Sequence, residues 1–132
     1  MKKINGFIFA GGALLSLLFA PHANAEQVIS IPTDPSAKYT LVEVVRRPDN
    51  LVEVTSRRDG KSGTSYAKRL VDCENARFVY LGDGDTVEEM RENENMWKER
   101  AASEGKPFPD MAGLTPGSIS TYVSEYGCRN AR

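Results

Sequence analysis

Two cysteines, Cys73 and Cys128, restrict this chain more than any other feature. Whether they pair depends on where the protein resides, and the first 25 residues bear on that. Lys2 and Lys3 give a positive start, an apolar run extends from Phe7 to Ala20, and Pro21 ends it. Ala23-Asn24-Ala25 then fits the small-x-small pattern cut by signal peptidase. The apolar run is short for crossing a bilayer, and no second such run follows. An uncleaved N-terminal anchor is the alternative. No cysteine lies near the cut, so a lipid-anchored form is not expected. The reading is a signal peptide over 1–25 and an exported protein, periplasmic or extracellular, without stable membrane insertion after cleavage. In such an oxidising compartment a cysteine pair closes. A Cys73–Cys128 bridge would enclose a loop of about 55 residues, worth about 4 kcal/mol in the chain-entropy account. Free, reactive or metal-binding thiols are the alternative, but there is no C-x-x-C spacing and no histidine nearby. Removal of 25 of the 132 residues leaves 26–132 as a single small domain. A chain of that size buries a modest share of its surface, so a covalent staple matters.

The residues between the cysteines and before them alternate as strands do. Glu26 to Ile31 reads as an edge strand, broken by Pro32, Asp34 and Pro35. Tyr39 to Arg46 and Leu51 to Arg57 read as strands around a Pro48-Asp49-Asn50 turn. Asp59-Gly60-Lys61-Ser62-Gly63 is a hairpin loop. Ser65 to Cys73 follows, with apolar residues in both alternating sets, so cover on both faces is expected. Glu74-Asn75-Ala76 turns into Arg77 to Leu81, and Gly82-Asp83-Gly84-Asp85 is expected to end the sheet. The expected architecture is α+β: a small antiparallel sheet of four to five strands with a C-terminal helix packed on it and tied by one disulfide.

Two helices are expected after the sheet. Asp85 with Glu88 suggests a capping box, opening a helix over about Thr86 to Ser103. Val87, Met90, Trp97 and Ala101 share one face, which Glu94 interrupts. Lys106-Pro107-Phe108-Pro109 reads as an extended linker. Ser118, or Thr115 with Pro116 behind it, caps the last helix. Its stripe is Ile119, Tyr122, Val123 and Tyr126. Gly127 is expected to take a left-handed stop that turns Cys128 back toward the sheet.

Charge is uneven along the chain. Without Lys2 and Lys3, 15 basic residues face 18 acidic ones, a net charge of −3. Residues 38–69 carry a net +4 and residues 72–110 a net −6. Two solvated faces would account for this. The sharper expectation is a basic binding face at Arg46, Arg47, Arg57, Arg58 and Lys61 that meets a protein or an acidic polysaccharide. Nucleic acid is not expected as a partner, since no domain is strongly basic.

Few chemistries are open to this sequence. Its one histidine, His22, sits in the leader. That removes Ser-His-Asp and Cys-His catalysis and imidazole metal sites. No phosphate-binding glycine loop is present. Asp83 and Asp85 match the first and third positions of a calcium loop, but Val87 and Glu88 fall where a ligand and a glycine are needed. Carboxylate pairs for glycoside hydrolysis can be drawn from Asp83, Asp85, Glu88 and Glu89, as from any chain this acidic. No catalytic residue, cofactor or metal is therefore expected.

Two short motifs carry a likeness. Val71-Asp72-Cys73 is followed by Arg77 and Tyr80, and Thr115-Pro116-Gly117-Ser118-Ile119 leads to Tyr126-Gly127-Cys128. In these, and in layout over about 38–128, the chain resembles the surface-adhesin E-like family of small exported bacterial proteins. The resemblance implies a small antiparallel sheet, a helix packed against it and one disulfide, with a strand and short loop near 83–106. It also implies an adhesin-like, host-matrix partner such as laminin or vitronectin. The functional expectation is an exported, non-enzymatic binding module for a host-matrix or envelope protein. The alternative is a periplasmic inhibitor or immunity-type protein that blocks a hydrolase or toxin.

Overall fold

The computed structural model describes residues 26–131, so the leader and its cleavage motif lie outside the described residues. Six strands form one sheet in chain order, each antiparallel to its neighbour. They are β1 (Gln27–Ile29), β2 (Lys38–Arg46), β3 (Val52–Gly60), β4 (Gly63–Asp72), β5 (Arg77–Gly84) and β6 (Ala112–Gly113). Helix α1 (Val87–Ser103) joins β5 to β6, and helix α2 (Ile119–Asn130) follows. The fold is α+β, with α2 packed on the sheet and a Cys73–Cys128 disulfide tying helix to sheet.

Short turns dictate the meander. At the β2–β3 turn Asp49 Oδ1 accepts from the Leu51 N–H, and Asn50 takes a φ of 71°. Asn tolerates that left-handed conformation better than most residues. The next turn is tighter than the loop expected over 59–63. Gly60 pairs with Gly63, only Lys61 and Ser62 lie between, and Gly63 has a φ of 120°. After β4, Asp72 Oδ1 accepts from the Asn75 N–H at 3.1 Å.

The sheet is covered on both faces, because β4 has something to bury on each. Val71 and Arg69 face α2, while Leu70 and Lys68 face α1. The α2 side holds the larger core: Ile29, Ile31, Tyr39, Leu41, Val52, Val54, Val71 and Val123. Leu70, Leu81, Met90 and Ala101 are buried on the α1 side. Glycine in β5 allows α1 to come close. A Cβ on Gly82 would sit 2.5 Å from the Met90 carbonyl oxygen, and one on Gly84 would sit 2.8 Å from the Met90 nitrogen.

Four local expectations are corrected. The stretch 82–85 does not end the sheet, since β5 runs to Gly84, with Leu81 as an extra residue opposite the Lys68–Arg69 step. A short β6 pairs with β5 at Arg77 and Phe78, so the sheet has six strands rather than the expected four to five. Thr86, not Asp85, caps α1, because the Thr86 hydroxyl reaches the Glu89 N–H at 3.1 Å. Gly127 does not stop α2. It is buried inside the helix, a Cβ there would collide with Val54, and Cys128 reaches Cys73 from within the helix. Ser118 is the α2 cap, accepting from the Thr121 N–H at 3.1 Å. The segment after β5 is helical, as its own residues predict and the family likeness does not.

Candidate functional site

The five basic residues named from the sequence do not form one face. Arg46 and Arg47 lie at the end of β2 beside the β2–β3 turn, and Arg57 and Arg58 lie near the far end of β3. Arg46 pairs with Val52, so Arg57 and Arg58 are five and six residues further along β3. At the rise of a strand this is about 17–20 Å. Arg57 and Arg58 also point to opposite faces, as successive strand residues must. Lys61 is exposed in the next turn. Three of the arginines are neutralised locally. Arg47 meets Asp49 at 2.9 Å and Glu53 at 3.5 Å, Arg57 meets Asp59 at 3.0 Å, and Arg58 meets Asp34 at 2.9 Å. Among the described residues, Arg46 bonds only the side chain and carbonyl of Asn50. Short range in sequence explains most of this, since Asp49 and Asp59 each follow their arginine by two residues.

A different arginine organises a polar cleft on the sheet. On the α2 side, β3 presents Val52 and Val54, then Ser56 and Arg58. Opposite them β4 presents Val71, Arg69, Ala67 and Ser65. The face therefore changes from apolar to polar along its length. Two strands of nine and ten residues extend about 30 Å, whereas the 12 residues of α2 extend about 18 Å. The helix covers the apolar half and leaves the polar half open. The result is a cleft of about 420 Å³. Ser56, Arg58, Ala67 and Arg69 line it from the sheet, Ile119 from the start of α2, and Tyr39 and Tyr80 from the sides. Asp83, Asp85 and Glu89 lie along its edge.

Arg69 sits where the two halves meet and is 4% exposed. Its Nε donates to Ser120 Oγ at 3.1 Å, Nη1 to Ser56 Oγ at 3.0 Å, and Nη2 to the Tyr80 hydroxyl at 3.1 Å. The guanidinium also lies 4.8 Å from the centre of the Tyr80 ring. Tyr80 and Ser120 bond each other at 3.0 Å, closing the network. All these partners are neutral. Among the described residues no carboxylate makes an ion pair with Arg69. Burial pulls its guanidinium below the ordinary arginine value, and the neighbouring Tyr80 and Tyr39 only partly oppose this. An arginine does not lose its proton in a protein, so the site holds a buried, unneutralised positive charge. Such a charge costs several kcal/mol unless something compensates it.

Arg58, by contrast, is fully matched. Asp34 Oδ2 accepts from Arg58 Nε at 2.9 Å and from the Tyr39 hydroxyl at 2.7 Å. Arg58 first, and Tyr39 second, hold the Asp34 carboxyl below its ordinary value. Burial first, and the bond to Asp34 second, push the Tyr39 phenol up. This triad anchors the loop before β2, and its Tyr39 and Arg58 line the cleft.

Sequence reasoning missed Arg69 because an arginine at an inward strand position looks like any other basic residue in a basic stretch. The available signal was its place in the alternation, in register with Val71 two residues on.

Compared with family models, with curated proteins and with solved structures, the chain matches none. Likeness to the surface-adhesin E-like family therefore rests on the two short motifs alone. Among the described residues, no helix is long and apolar enough to cross a membrane.

Proposed function

We propose that this protein is an exported, non-enzymatic binding module whose ligand enters the cleft over the open half of β3 and β4. The observation that carries the reading is Arg69. A buried guanidinium held by hydroxyls but by no carboxylate lines a cleft within the size range of small-molecule sites. Its position is set by the fold, since Ser56 and Ser120 belong to different elements and both fix it. Two features support the rest of the reading. The leader motif and the closed Cys73–Cys128 bridge both suit an oxidising compartment. The only histidine is His22, and both cysteines are consumed in the bridge, so imidazole and thiol catalysis have no residue to use. The basic residues at 46–61 support a protein or polysaccharide partner less well, because they are split and mostly paired.

The test is amide chemical-shift mapping of the isotope-labelled protein during titration with fractionated envelope extract. Shifts should concentrate at Ser56, Ala67, Arg69, Tyr80 and Ile119, and should vanish in a cleft-filled Ala67→Trp variant that keeps the wild-type spectrum elsewhere. Shifts confined to Arg46, Arg47 and Lys61, or none at all, would overturn the assignment of the cleft.

A further inference from the structure

We propose that Arg69 binds the carboxylate of a small zwitterion, an amino acid or short peptide, whose ammonium group faces Asp83, Asp85 and Glu89. This rests on the reading of the cleft as the ligand site and names the chemistry that the site selects.

The floor of the cleft asks for an anion. A guanidinium has five N–H donors. The three neutral hydroxyls around Arg69 take one on Nε and one on each terminal nitrogen. One donor remains on each terminal nitrogen, the arrangement that a carboxylate accepts with its two oxygens. Ser120, which touches Arg69, is the second residue of α2. The positive end of that helix therefore lies beside the guanidinium. Two like charges side by side are unfavourable until an anion sits against both.

The edge asks for a cation. Asp83, Asp85 and Glu89 line the same cleft, and among the described residues none of the three makes an ion pair. All of them lie at or just beyond the end of β5 or in the first turn of α1. They are on one side of the cleft, with Arg69 on its floor. A phosphate or sulfate would satisfy the floor and be repelled at the edge. A simple amine would do the reverse. A molecule with both charges satisfies the two together. The floor charge is buried and the edge charges are exposed, so the floor is the less screened and contributes more to affinity.

The experiment is calorimetric titration of the purified protein with four probes: alanylalanine, its C-terminal amide, N-acetylalanine and inorganic phosphate. Alanylalanine should bind most tightly. Loss of the carboxylate in the amide should weaken binding about ten- to a hundredfold, the range of a charge-assisted hydrogen-bonded contact. Arg69→Met should weaken alanylalanine to the same degree and leave the amide unchanged. Glu89→Gln, at an exposed position, should weaken alanylalanine but not N-acetylalanine. If Arg69→Met fails to fold, the wild-type probe series and Glu89→Gln decide the matter. Phosphate binding as tightly as alanylalanine, equal affinity for the dipeptide and its amide, or no binding of any probe would each overturn the proposal. With no probe binding but envelope extract still shifting the cleft amides, the zwitterion falls and the cleft remains a binding site. With neither, both fall.

Discussion

Glu94 is a carboxylate in the middle of an apolar helix face. Its side chain is 8% exposed, with Lys98 Nζ at 2.8 Å and Lys68 Nζ at 3.0 Å. Burial works to raise its proton affinity, but the ammonium groups of Lys98 and Lys68 override that and hold the carboxyl below its ordinary value. The residue that interrupts the stripe of α1 thus joins helix to sheet through Lys68 of β4. Glu94→Gln should lower the unfolding free energy by about 1–3 kcal/mol, the value of a hydrogen bond to a charged group. Lys98 is 51% exposed, so Lys98→Ala should cost no more than about 0.5 kcal/mol. Urea denaturation of the two variants checks the contrast, and equal losses would refute the view that Lys68 is the partner that matters.

Among the elements, α2 depends on two contacts that local propensity does not reveal. Gly127 costs helix stability relative to alanine, about 1 kcal/mol. It is retained against Val54, a fully buried branched residue that has no flexible end to move aside. Gly127→Ala should therefore destabilise by about 1–3 kcal/mol, as overpacking does, rather than stabilise by about 1. A rise in melting temperature in that variant would show that α2 can lift off β3 at little cost. The second contact is the bridge, which spans 55 residues and pins α2 to the end of β4. Cys73→Ser should lower stability by about 2–5 kcal/mol. Reductant should lower the wild-type melting temperature by a corresponding amount and leave the variant unchanged.

The whole molecule should have a flat stability plateau across neutral pH. Several carboxyls are held below their ordinary values. Arg58 and Tyr39 do this for Asp34, Thr64 and Arg57 for Asp59, and Asn75 for Asp72, with Glu94 as above. Each binds protons less readily folded than unfolded. Its contribution is complete above the unfolded value near ~4 and is lost as the pH falls through the lower folded value. Tyr39, pushed up by burial, acts in the opposite direction. Its contribution is present below the unfolded value near ~10 and is lost as the pH rises through the higher folded one. Among the described residues there is no histidine to titrate between these limits. Urea midpoints should therefore stay level from about pH 5 to 9 and fall on either side. A midpoint that moved steeply between about pH 6 and 7 would contradict this.

The sequence alone determined the five longer strands, the places of the turns between them, the last helix and the pairing of Cys73 with Cys128, because each depends on nearby residues or, for the bridge, on there being just two cysteines. Alternation in β4 even announced that both faces would be covered. Tertiary structure decided what those faces meet. It turned Gly127 from a helix stop into a packing surface, gave Glu94 a partner 26 residues away, and split the basic stretch into locally paired arginines. It also placed Arg69 beside the first turn of α2, where the open half of the sheet begins. The physical reason is one of range. A turn or a strand is set by a few adjacent torsions and side chains, whereas the charge left unbalanced at Arg69 exists only once distant strands and a helix end have closed around it.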